Sequence, residues 1–142
     1  MRALLDVNVL IALLDAAHVH HRVARKWLAR EGGTGWASCP ITQNGCLRIL
    51  THSRYPNAQS VPAVAARLAE AIAHPLHEFW PDDISLLDAG RIDSQRVLSA
   101  SQITDLYLLA LAVAHRGRLV TFDRSIIVEA VAGAELRHLV EI

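Results

Sequence analysis

Three aspartates carry most of the chemistry this sequence can offer. Asp6 follows the apolar pair Leu4-Leu5 and precedes Val7-Asn8-Val9-Leu10-Ile11. Asp123 follows Leu119-Val120-Thr121-Phe122, and Asp105 stands at the head of an apolar stretch containing Leu106, Leu109, Ala110 and Val113. An ionised carboxylate set into an apolar run is costly unless it is paired, hydrogen-bonded or on a metal. Three carboxylates brought together repel one another and need protons or a cation to neutralise them. Mg2+ and Mn2+ suit such a set, because hard cations take oxygen ligands and Mg2+ binds substrate phosphate through few carboxylates. The chemistry open to that arrangement is activation of a water and stabilisation of charge on a phosphodiester. Each acid alone has a plainer reading: Asp105 as a first-turn acid favoured by the helix dipole, Asp123 as a turn residue. Asp6 has the weakest such alternative, because its flanks are so apolar.

The acids can meet only if the surrounding elements deliver them to one place. Leu4-Leu5 reads as a buried strand with Asp6 at its carboxyl end, and Val7 to Leu14 as a helix. Ala17 to Arg30 reads as a second helix, with Val19, Val23 and Trp27 on one side and Gly32-Gly33-Thr34-Gly35 as its stop. Trp36 to Cys39 is a strand. Pro40 leads into a helix through Ile41, Leu47 and Leu50, followed by a loop from His52. Ser60 caps a helix from Val61 to Ala73. Glu78-Phe79-Trp80 is a third strand, Pro81-Asp82-Asp83 starts a helical turn, and Asp88 to Ser101 is mixed. Thr104 caps a helix from Asp105 to His115, closed by Gly117. Leu119 to Phe122 is the fourth strand, Ile126 to Val131 a short helix, and Leu136 to Ile142 a last strand or tail. Short apolar strands alternating with helices indicate βαβ units and a parallel sheet. In such sheets ligands bind at the carboxyl edge of the strands. If the first and fourth strands are neighbours, Asp6 and Asp123 lie side by side there, and Asp105 reaches the same edge from a helix start.

Composition narrows the field. The 142 residues fit one domain, 1–142, and with 52% hydrophobic and 20% charged residues the chain reads as globular. Net charge is zero with His neutral, so nucleic acid would be gripped by a local patch rather than by overall charge. Lys26 is the only lysine among 14 basic residues, which excludes a GK[ST] phosphate loop. No apolar run is uninterrupted enough to span a bilayer, and no secretory leader is expected because the apolar start lacks a basic n-region. Cys39 and Cys46 form neither a CxxC pair nor a zinc pattern. A reducing, cytoplasmic setting is expected.

The sequence resembles the PIN-domain ribonucleases, and among them the VapC-type toxins of type II toxin–antitoxin systems. The resemblance is carried by Leu4-Leu5-Asp6-Val7-Asn8-Val9-Leu10-Ile11-Ala12, Cys39-Pro40-Ile41-Thr42-Gln43-Asn44-Gly45, Leu47-Arg48-Ile49-Leu50, Thr104-Asp105 with Leu108-Leu109-Ala110-Leu111-Ala112, and Leu119-Val120-Thr121-Phe122-Asp123. These stand in order over nearly the whole chain. The resemblance implies a three-layer α/β/α sandwich with a short, mainly parallel sheet. It also implies Mg2+- or Mn2+-dependent endonucleolytic cleavage of RNA, often tRNA or rRNA. Asp6, Asp105 and Asp123 would be the catalytic metal ligands, Asn8 would hold the site by hydrogen bonds, and Thr104 would support it. A cognate antitoxin and a homodimer are the implied partners. One departure stands out: many relatives carry Glu where this chain has Gln43, so the site is one anion short. Natural variation with activity retained is the reading adopted here. The alternatives are a weakened or altered metal site and a deliberate inactivating change in a toxic protein; in either case the chain would be a weakened or inactive PIN domain that binds RNA or a partner without cutting.

Other residues invite weaker readings. His18, His20 and His21 look like a metal cluster but suit a solvated helix start. Arg22, Arg25, Lys26 and Arg30 form a basic stripe, more simply a solvated face. Arg48, Arg116, Arg118 and Arg124 are expected nearer the acidic edge, as contacts for RNA phosphate. Val64, Leu68 and Ile72 read as core that could also help form a groove for an antitoxin helix. A phosphotransfer site built on Asp6 as nucleophile lacks both the second acid, replaced by Asn8, and a late lysine.

Overall fold

In the computed structural model, which describes residues 1–142, the chain enters through β1 (Ala3–Leu5), whose three residues are all buried. Strands buried on both faces read as continuous apolar runs. Asp6 ends the strand in extended conformation (ψ 157°), and its carboxylate accepts the Val7 N–H at 2.6 Å. That cap starts α1 (Val7–Leu14) without a loop.

The strands β1, β2 (Trp36–Ser38), β3 (His77–Phe79), β4 (Arg118–Thr121) and β5 (Leu139–Glu141) form one parallel sheet in the order β3-β2-β1-β4-β5. Leu4 pairs with Ala37 on one side and Leu119 on the other. The order reverses direction at β1, so the crevice between β1 and β4 is the topological switch point.

Strand alternation sends Leu4, Ala37 and Leu119 to one face and Ala3, Leu5, Trp36 and Val120 to the other. On the first face α5 (Ile103–Ala114) lays down Leu106, Leu108, Leu109 and Leu111. On the second lie α1, α2 (His21–Glu31), α3 (Pro40–Leu50) and α4 (Val61–Ile72), through residues such as Val9, Trp27, Cys46 and Val64. The result is the α/β/α sandwich expected from the sequence. No helix is long and apolar enough to cross a membrane.

Four local expectations are corrected. The second helix begins at His21, because the Asp15 carboxylate caps Ala17 and ties the preceding residues into turns. Its buried residues are Ala24 and Trp27, while Val19 and Val23 face solvent. Pro81-Asp82-Asp83 starts no helix. After Asp123 the chain forms only a 3-10 turn at Val128–Ala130, where a short helix over Ile126 to Val131 was expected.

Candidate active site

Asp6 is 6% exposed. Burial pushes its carboxyl up, the Thr121 hydroxyl and the Val7 N–H pull it down, and the charge of Asp123 pushes it up again, with a net rise. Thr121 is the residue that ties the site together. Its Oγ1 donates to Asp6 Oδ2 at 2.8 Å and accepts the Asp123 backbone N–H at 3.0 Å. The Asp6 N–H in turn donates to the Val120 carbonyl. Thr121 and Asp123 stand two apart at the end of β4, a spacing visible in the sequence but not exploited there.

Asp123 is held below its ordinary range by the hydroxyl and backbone N–H of Ser125, both at 2.7 Å. Asp105 lies in the first turn of α5. Burial and the charges of Asp6 and Asp123 push its carboxyl up to about 6. The tertiary structure therefore brings the three acids into mutual electrostatic contact, and none of the chain's ion pairs relieves them.

The start of α5 differs from expectation. Thr104 is exposed and caps nothing, because a 3-10 turn at Ala100–Gln102, capped by Ser99, runs straight into the helix and moves its start to Ile103. Gln102 does the anchoring instead. Its carbonyl accepts from Leu98 and Ser99, and its Nε2 donates to the Ser125 carbonyl at 3.2 Å. One side chain thus joins the Asp105 helix to the Asp123 loop.

Asn8 is exposed, and its side chain bonds no protein group. The role expected of it, steadying Asp6, falls to Thr121. Gln43 sits in the first turn of α3, beyond the carboxyl end of β2, and its Nε2 donates to Ser38 Oγ at 2.9 Å. α3 is pressed against the start of α1 at Gly45, where a Cβ would stand 2.8 Å from a Val7 methyl.

The arginines divide. Arg124 follows Asp123 and is exposed at the carboxyl edge. Arg116 and Arg118 lie before β4 and within its first residue, so in a parallel sheet they occupy the opposite edge. Arg118 is engaged there with Glu31 at 3.4 Å and over the Trp27 ring. Arg48 lies in the last turn of α3, away from the first turn that carries Gln43. Of the histidines, His18 accepts from the His20 N–H, His20 stacks on Phe122 at 4.7 Å, and His21 bonds the Ala12 carbonyl.

The donor set fits a hard divalent cation: three carboxylates, two of them raised by burial and, beside it, by their neighbours' charge, with no cationic side chain among them. No three His, Cys, Asp or Glu side chains are gathered tightly enough to surround an ion as they stand. Mg2+ commonly takes only one or two carboxylates and completes its shell with waters, so it needs no closed cage of side chains.

Fold and site together define an α/β/α protein with a carboxylate site at the switch point of a parallel sheet. The PIN domain family model matches residues 3–133. The chain belongs to the PIN-domain family. It is 55% identical over 139 residues to Ribonuclease VapC44 of Mycobacterium tuberculosis, covering 98% of each chain. It is 43% identical over 134 residues to Ribonuclease VapC39 of the same organism, covering 94% of this chain and 96% of that one. Its fold is similar to a chain of the VapBC2 complex from Rickettsia felis bound to a promoter DNA fragment, with a TM-score of 0.57 and 13% identity over 88% of this chain and 90% of that one.

Proposed function

We propose that this chain is a divalent-metal-dependent endoribonuclease and the toxin of a toxin–antitoxin pair. The observation that carries the reading is the mutual coupling of Asp6, Asp105 and Asp123 at the switch point. The ribonuclease names of its relatives support the reaction class.

Asp6, Asp105 and Asp123 would hold the cation. When bound, Mg2+ or Mn2+ lowers the pKa of a water and neutralises charge on the phosphodiester. Thr121 orients Asp6 and favours its charged form against the rise that burial imposes, and Ser125 holds Asp123 below its ordinary range by donating to it. Asp105, whose carboxyl burial and the charges of Asp6 and Asp123 push up to about 6, is the acid whose charged form a bound cation would favour most. Gln43 brings a neutral amide to the same edge. Exposed Arg124, next to Asp123, would meet phosphate. RNA is the substrate class; tRNA or rRNA is the finer expectation.

The antitoxin partner would lie in a groove of about 610 Å³ on the other helical layer, lined by Leu10, Leu13, Leu28, Trp36, Leu68 and Arg67, among others. Leu68 is one of the helix residues named from the sequence. The groove is mainly apolar and is lined by Arg25 and Arg67 with one acid, Glu70, which suits an amphipathic segment carrying acidic residues.

The deciding experiment is cleavage of total RNA with Mg2+, Mn2+ or EDTA, comparing the natural chain with Asp6→Asn and Gln43→Glu. Cleavage is expected with the metals and lost in EDTA and in Asp6→Asn. Gln43→Glu is expected to tighten Mn2+ binding. Cleavage that persists in EDTA would overturn the mechanism. Absence of any cleavage, with RNA still bound, would favour the non-cutting binding module.

A further inference from the structure

Gln43 is not free at the carboxyl edge. It ends a chain of three side chains that runs across the sheet. Gln43 Nε2 lies 2.9 Å from Ser38 Oγ, and Ser38 Oγ lies 2.8 Å from His77 Nε2. Ser38 is fully buried at the end of β2, and His77 comes from the edge strand β3, its ring packed on Trp36 with centroids 4.4 Å apart. Neither Ser38 nor His77 is part of the carboxylate site.

The hydroxyl of serine has one proton to give. If His77 presents a bare Nε2, Ser38 gives that proton to it and can only accept from position 43, which calls for the Gln43 NH2; a protonated Nε2 would instead fill a lone pair of the hydroxyl and free its proton for the Gln43 oxygen. The surroundings of the ring favour the bare Nε2. Burial keeps the ring from charging, the Ile72 carbonyl of α4 offers an acceptor for the remaining ring proton, and the charges of Arg2 and Glu78, themselves paired at 2.8 Å, act in opposite directions. The direction of every hydrogen bond in the chain is then determined from the His77 end.

We propose that Ser38 and His77 are positioning residues that orient the Gln43 amide, turning its NH2 into the sheet and leaving its carbonyl oxygen as the group presented to the carboxylate edge. An amide free to rotate would offer its NH2 to the acids about as readily as its oxygen, and an NH2 would cap a carboxylate that the site needs for a cation. The inference deepens the nuclease reading and rests on it for the role of Gln43, but its hydrogen-bond logic is independent.

That logic makes a reciprocal statement. A glutamate at 43 has no proton to give, so Ser38 would turn its hydroxyl to the carboxylate and would need a proton from His77 Nε2. Gln43→Glu should therefore put a proton on His77 Nε2 and raise the ring's proton affinity at least tenfold, through a residue it does not touch.

The test is nitrogen-15 NMR of the imidazole nitrogens in the full-length chain without metal. The natural protein is expected to show neutral His77 with the proton on Nδ1. Gln43→Glu is expected to protonate Nε2 and move the His77 titration upward. The same substitution in a Ser38→Ala background, a near-isosteric change, should leave His77 unmoved. A proton on Nε2 in the natural chain at neutral pH, or an equal response to Gln43→Glu with and without Ser38, overturns the proposal. RNA cleavage by the same samples separates the two readings. Metal-dependent cleavage without the His77 response removes the relay and keeps the nuclease, and the response without cleavage does the reverse.

Discussion

Thr121 Oγ1 sits 2.8 Å from Asp6 Oδ2 and joins two strands that lie 115 residues apart in the chain. The same oxygen accepts the N–H of Asp123. A single hydroxyl thus sets the spacing of two acids that repel each other, and it does so from inside the sheet, where Thr121 is fully buried.

Thr121→Val keeps the shape of that side chain and removes its hydrogen bonds. A bond to a charged group contributes about 1.5–3 kcal/mol, and a buried acceptor left alone costs a similar amount. The variant should unfold at lower urea concentration by about that free energy at pH 7, and RNA cleavage should fall with it. Thr121→Ser should recover most of both. An unchanged urea midpoint in Thr121→Val would show that the hydroxyl contributes nothing to the site.

Asp105 gives the metal-free protein a pH dependence of defined sign. Its carboxyl is raised to about 6 by burial and by Asp6 and Asp123. A raised folded pKa means that the stability it contributes is present below the unfolded value near 4 and is lost as pH rises through about 6. In EDTA, Asp105→Asn should therefore raise the melting temperature at pH 7.5 and leave it nearly unchanged at pH 4.5. Mn2+ should stabilise the natural chain at pH 7.5 by binding the folded state alone, and the Asn variant much less. Equal stabilisation of both by Mn2+ would place the ion elsewhere.

Gly45 is required by a close approach rather than by its backbone angles. An added Cβ would meet Val7 methyls at 2.8 and 3.1 Å, next to Asp6. Val7 is β-branched and cannot swing away. Gly45→Ala should cost about 1–3 kcal/mol by overpacking, measured by chemical denaturation, and should lower cleavage by shifting α1. Trimming the neighbour in Val7→Ala/Gly45→Ala should restore stability relative to the sum of the two single changes. Simple additivity of the two would place the cost somewhere other than this contact.

Asp15 titrates with the opposite sign. It is buried, which works against its charge, but the Tyr55 hydroxyl, the Ala17 N–H at 3.0 Å, the Asn57 amide at 3.3 Å and nearby His18 hold its carboxyl below the ordinary range. Stability from a depressed carboxyl is present above its unfolded pKa and is lost as pH falls through the folded one. Tyr55→Phe should cost about 1.5–3 kcal/mol at pH 7 and progressively less below pH 4, so the two proteins' acid-unfolding curves converge. A constant difference across that range would mean that Tyr55 acts through packing alone.

The residues themselves show how far the sequence reached. The apolar runs around Asp6 and Asp123 and the helix behind Asp105 were legible, because strand and helix periodicities are local and a charge among buried neighbours stands out. So was the parallel sheet, since short strands alternating with helices leave few other arrangements; the three-layer sandwich came from the resemblance to the PIN domains. Capping was less legible. Thr104 has the right chemistry for a cap, yet the 3-10 turn closed by Ser99 and Gln102 took that place, and only the packing of residues 98–103 decides between them.

By itself, the sequence set Asp6 and Asp123 just past two strands and Asp105 at a helix start, and its resemblance to the PIN domains marked Gln43 as a neutral residue where many relatives carry Glu. The tertiary structure decided which groups face one another. Setting β4 beside β1 put Thr121 between Asp6 and Asp123 and carried Arg116 and Arg118 to the far edge. Setting β3 beside β2 brought His77 onto Ser38 and, through it, onto Gln43. Such pairings join residues tens to more than a hundred positions apart. Their energies depend on strand order and burial, which no local pattern of residues encodes.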